Sequence, residues 1–172
     1  MAKYFLEHGR TLGRSQALQI LFQAEILRKT PQEVCEGEYL LSKGPLQDFA
    51  KELAFGTYEN LDKIDEQITA VANNWKLERM PGADRNIMRI AVFEMQFTAD
   101  DLMTTATAIN EAVEMAKAYG TDESASFVNG VLGAIARGEG YSHDELTDAA
   151  DKITHQIALE NPEPVVIDET EE

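Results

Sequence analysis

The side chains able to do covalent or acid–base chemistry are few and scattered. Cys35, the one cysteine, lies on a short stretch with no histidine near it, so nothing is placed to activate its thiol. His8, His143 and His155 stand far apart and share no metal-ligand spacing. The sequence holds neither a GxGxxG turn nor a P-loop. Glu111 and Glu114 read as the solvated edge of a helix, not as an acid–base pair. Catalysis, metals and cofactors are therefore set aside, and binding chemistry is left. Arg10 and Arg14 are four apart and share a face if a helix begins that early. Their guanidinium forks suit phosphate. Lys117 sits in the last turn before Gly120, where it complements the helix dipole or reaches a phosphate beside residues 121–124. Phe127 follows that polar hinge at once. A Phe there is a core anchor or a ring that stacks on an unpaired base, and the residues alone favour the core.

Helices must position these groups. In "GRSQALQILFQAEILRK", Ala17, Ile20, Leu21, Ala24 and Leu27 keep a helical stripe that Leu18 and Phe22 widen. Thr30, Pro31 and Glu33 form a capping box that starts a short helix carrying Val34 and Leu40 or Leu41. Gly44-Pro45 breaks the chain. A long apolar face follows, from Leu46 through Phe49, Leu53, Ile64, Ile68 and Val71 to Trp75, with a break expected between Gly56 and Asp62. "KLERMPGAD" is a polar hinge. Asp84 then stands near the start of "DRNIMRIAVFEMQF", where a negative charge suits the macrodipole. Residues 107–119 form a helix that stops at Gly120, a favoured position beyond a helix end, and Ser124 caps the next. In that last helix Asn129-Gly130 is costly, with Gly about 1 kcal/mol below Ala in propensity. A close neighbouring helix at Gly130 and a bridge through Asn110 and Asn129 would offset it. Strict period-two alternation is missing, so the fold class is all-α, a bundle with short connections.

The formal net charge is −16, which read alone argues against nucleic acid. Its distribution says more. Residues 139–172 carry eleven acids and one base, whereas residues 1–29 carry five bases and two acids. The end, 139–172, reads as an acidic extension. It has a capping box at Ser142–Glu145, a weak amphipathic helix over 143–159 and a disordered tail. One cysteine, no apolar leader segment and no membrane-length apolar run give the expectation of a soluble, cytoplasmic protein without membrane contact.

Four segments match something specific: "AINEAVEMAKAYG", "SASFVNGVLGAI", "DRNIMRIAVFEM" and, less sharply, "RSQALQILFQAE". In order and spacing they resemble the NusB family of bacterial transcription antitermination factors, over about residues 10–138. The resemblance implies a two-lobed all-helical bundle of about seven helices over 1–138, with lobes at about 10–78 and 79–138. It implies a non-enzymatic protein that pairs with the ribosomal protein NusE to bind boxA RNA in ribosomal RNA transcription. Other Nus factors and RNA polymerase would be met indirectly. Arg10, Arg14, Glu123 and Phe127 fall at RNA-contacting positions, and Phe22 and Asp84 at positions that face NusE. Thr11 and Leu12 stand where the family is often arginine-rich, so few phosphates are neutralised and RNA affinity of the chain alone should be modest. The alternative is a protein-interaction or homodimerisation module of the same fold with little RNA binding. An rRNA cytosine methyltransferase shares the fold but needs a cofactor-binding strand–helix unit that is missing here.

Overall fold

The computed structural model describes residues 7–72, 75–98 and 103–139. The expected capping box at 142–145, the weak helix and the acidic tail lie outside the described residues. Among the described residues there are seven α-helices and no strand, all within the unit Met1–Gly140. They are α1 (Gly9–Leu27), α2 (Pro31–Glu36), α3 (Asp48–Glu59), α4 (Leu61–Val71), α5 (Gly82–Gln96), α6 (Thr105–Tyr119) and α7 (Ser124–Ala136). A 3-10 turn, Leu77–Arg79, precedes α5.

Helix α1 begins at Gly9, which places Arg10 and Arg14 on one helix. Ala17, Leu18, Ile20, Leu21 and Ala24 are buried as the periodicity requires. Phe22 and Leu27 depart from it: Phe22 is 42% exposed, and with Ile26 and Leu27 it leaves the flank of α1 uncovered. The Thr30–Glu33 capping box forms. The Thr30 hydroxyl accepts from the Glu33 N–H at 3.2 Å, and the Glu33 carboxylate accepts from the Thr30 N–H at 2.7 Å. These bonds hold the Glu33 carboxyl below the usual carboxylate range. Helix α2 stops at Glu36, short of Leu40, which is exposed.

The connection after α2 is held by three glutamines of α1. Gln16 donates to the Lys43 and Pro45 carbonyls at 2.9 Å. Gln19 accepts from the Ser42 N–H at 2.7 Å, and Gln23 accepts from the Leu40 N–H at 2.8 Å. Side-chain amides thus satisfy backbone groups that no regular element pairs.

The expected break falls at Asn60, between α3 and α4. Helix α5 is central and packs on α1, α3, α4, α6 and α7. Ile87, Met88 and Ile90 of α5 meet Ile20, Leu53, Ile64, Ile68, Met115, Leu132 and Ile135 in one buried cluster. Burying a side chain of this size contributes about 1.5–3 kcal/mol, so the cluster dominates the stability. Arg89 of α5 adds a fork onto Asp65 of α4 at 2.7 and 2.8 Å.

Candidate functional site

Of the two arginines, Arg10 is exposed and Arg14 is buried. Arg14 Nε donates to both Glu94 oxygens at 2.9 and 3.0 Å, and Nη1 donates to Glu111 at 3.1 Å. Glu111 also accepts from the Thr11 hydroxyl at 2.9 Å, so it is half-buried structure and not the solvated edge expected of it. Burial pushes the Glu94 carboxyl above the usual range, against the pull of Arg14. Both guanidiniums lie over the Phe49 ring, Arg10 at 5.1 Å and Arg14 at 5.6 Å. With its donors committed to carboxylates, Arg14 organises the site from inside and offers no fork to phosphate.

Asp84 lies in the first turn of α5, as expected, but it is 3% exposed and not available at the surface. Its carboxylate accepts from the Ser124 hydroxyl at 2.9 Å. Ser124 is the first residue of α7 and Glu123 occupies the cap position, one residue earlier than the capping residue expected. The Ser124 oxygen also accepts from the Thr121 N–H at 2.8 Å. The hinge between α6 and α7 is therefore tied to the start of α5 by one serine. Gly120 ends α6 at φ −97°, a conformation open to any residue. Glycine is required there because a Cβ would stand 2.5 Å from Ser124 Cβ and 2.7 Å from the Ala116 carbonyl oxygen.

Lys117 and Glu123 are exposed on either side of that hinge, and Lys117 is paired with Glu114 at 2.8 Å. Tyr119, at the end of α6, bonds the Ser15 and Gln19 side chains of α1. Phe127 is half-buried and packs against the core, as the residues alone favoured, with part of its ring left open. Its ring lies 5.9 Å from that of Trp75, tilted by 48°. Trp75, expected on the buried face of a long helix, stands beyond the end of α4 and is 57% exposed. Trp75 keeps the apolar period four residues after Val71, so the sign that the helix ends first is the polar run Asn73-Asn74 ahead of it, not its spacing. The structure thus groups Arg10 and Arg14 around Phe49, and Glu123 and Phe127 at the start of α7. Arg10 and Phe127 line separate cavities with no lining residue in common.

Asn110 and Asn129 are exposed and form no bridge to each other. Gly130 is exposed, and a Cβ built on it would meet nothing within 4 Å, so no helix packs close there. Among the described residues no group of three His, Cys, Asp or Glu side chains could hold a metal ion, and no helix is long and apolar enough to cross a membrane.

The chain matches the NusB family model over residues 11–137. A transcription antitermination protein NusB of Heliobacterium modesticaldum is 42% identical over 164 residues, covering 90% of this chain and 77% of that protein. Residues 1–138 make up only about four-fifths of the chain, so that match reaches into the acidic extension. The NusB of Desulforamulus reducens is 40% identical over 129 residues, covering 74% of this chain and 89% of that protein. A solved structure of T. maritima NusB superposes with a TM-score of 0.64 at 36% identity, covering 76% of this chain and 92% of that one. A crystal structure of antitermination factors NusB and NusE in complex with dsRNA shares the fold, with a TM-score of 0.59 at 24% identity, covering 73% of this chain and 94% of that one. By the extent of the family match and the identity of these relatives, the chain belongs to the NusB family of transcription antitermination proteins.

Proposed function

We propose that the chain is a non-enzymatic antitermination factor of the cytoplasm that pairs with NusE and, as that pair, binds boxA RNA in ribosomal RNA transcription. Other Nus factors and RNA polymerase are engaged through the pair. The observation that carries the reading is the family match over residues 11–137. The likeness in fold to the NusB–NusE–dsRNA complex supports it. Two surface features agree with it. Phe22 and Ile26 are four apart on α1 and both exposed, an apolar face suited to a protein partner. Arg10, Lys117 and the rim of Phe127 carry the chemistry for phosphate and base. With Arg14 buried, the partner must supply much of the cationic charge, as a ribosomal protein does.

The test is boxA RNA binding by the chain with and without NusE across a salt series. Ternary binding should be tighter and should weaken with salt. Phe22→Ala should reduce NusE affinity by about tenfold, the scale of an aromatic anchor at an interface. RNA affinity unchanged by NusE, or a Phe22→Ala variant that binds NusE as the wild type does, would refute the reading. Self-association through the Phe22–Ile26 face, read by sedimentation, would favour the homodimer.

A further inference from the structure

The groove between the end of α4 and the outer face of α7 has no role in the fold, and its parts share one chemistry. Trp75 and Phe127 line it together with the small residues Ala70, Gly130 and Ala134, and Arg137 and Glu139 supply its charge. The cavity is about 560 Å³, within the range of small-molecule sites. The two rings are tilted and not stacked face to face, so they do not use up each other's faces. Gly130 is the second observation. It weakens the middle of α7, yet nothing packs where its side chain would be. A glycine that no neighbouring helix requires, lining an aromatic groove, leaves room for a ligand to approach the helix backbone.

We propose that this groove binds a nucleobase of single-stranded RNA, stacked on Trp75 beside Phe127, with the adjoining phosphate at Arg137. The inference rests on the reading that the chain binds RNA, and it adds a subsite on the far side of Phe127 from the hinge. A base fits better than a peptide helix. A helix needs apolar anchors at successive turns along an extended groove, whereas this site offers one aromatic pair and a charged rim. The charge at the rim is Arg137, which is 2.9 Å from Glu139 and can exchange that exposed partner for a phosphate. Phe127 lines the groove and stands one turn after Glu123, the cap residue of α7, so an RNA strand at the hinge has a short path into it.

The test uses the full chain with NusE and a single-stranded boxA RNA oligomer. Trp75 is the one tryptophan of the chain, so its emission, taken as the difference from a Trp75→Leu complex, reports the groove. Saturable quenching by RNA is expected. Gly130→Leu, which fills the groove, should weaken RNA binding at least tenfold while NusE affinity and melting temperature stay at or above wild type. Should Gly130→Leu melt lower, Trp75→Leu with an unchanged helical spectrum should give the same tenfold loss. RNA bound at wild-type affinity by both variants, or bound without quenching, overturns the groove and leaves the antitermination reading standing. A Gly130→Leu variant that changes sedimentation but not RNA affinity also overturns it, by assigning the groove to a second copy. If the wild-type complex binds no RNA, both fall.

Discussion

Arg14→Ala is expected to lower the unfolding free energy by about 3–5 kcal/mol, the cost of breaking a buried ion pair by removing one partner. The side chains of Arg14 and Glu94 are 4% and 2% exposed. The loss therefore leaves a desolvated carboxylate without its cation, and leaves Glu111 with only the Thr11 hydroxyl as a donor. The sign of the pH dependence follows from Glu94. Burial raises its folded pKa above the unfolded value, and Arg14 is the main opposing influence. A raised carboxyl keeps its proton longer in the folded state, so its contribution is present below the unfolded pKa and lost as pH rises through the folded one. Without Arg14 the folded pKa moves further up. The deficit of the variant should thus be largest at neutral pH and shrink on acidification, when Glu94 is protonated and needs no cation. Urea unfolding followed by circular dichroism at several pH values measures this. Arg14→Lys should recover part of the loss, because it restores the charge but not the fork. A deficit below about 1 kcal/mol at neutral pH, or one that grows with acid, would contradict a structural Arg14–Glu94 pair.

Gly120→Ala should cost about 1–3 kcal/mol, as overpacking does, and should weaken RNA binding more than NusE binding. The added methyl would overlap Ser124 and a backbone oxygen, and the backbone cannot swing aside as a long side chain can. Ser124 must move, and with it go the bonds to Thr121 N–H and Asp84 that shape the hinge. Ser124→Ala separates the two causes, since it removes the bonds without the clash. Its stability loss should be smaller, near 1 kcal/mol per buried bond, with a similar effect on RNA. Alanine at position 120 with wild-type stability and wild-type RNA affinity would mean that the hinge does not hold the recognition surface.

The helices were legible because each had a local signal. Thr30–Glu33 carried its cap, and Asp84 marked the start of α5 and Gly120 the end of α6. The helix break near Asn60 could be placed without knowing why it lies there. Side-chain fates were less legible, because period alone does not say which flank a neighbour covers. Phe22 and Leu27 continue the stripe of α1, yet both stay exposed, with the Gly82 end of α5 against one edge of the Phe22 ring. Arg14 has the composition of a surface residue and is buried, because Glu94 and Glu111 approach from 80 and 97 residues away. Gly120 ends α6 where the sequence places the stop, but the close approach of Ser124 that requires a glycine there is not visible in the spacing, and the close helix expected at Gly130 is replaced by open space. Long-range contacts fix these roles, and one chain's spacing does not contain them.

The burial of Arg14 also sets how strongly ions from solution compete with RNA. A cation inside the bundle displaces no condensed counterion when a strand binds. If Arg10, Lys117 and Arg137 each neutralise one phosphate, the chain without its partner should show a log affinity against log salt slope of about −2.1, near 0.7 per phosphate on a single strand. Any steeper dependence in the NusE complex then counts the charges that the ribosomal protein brings.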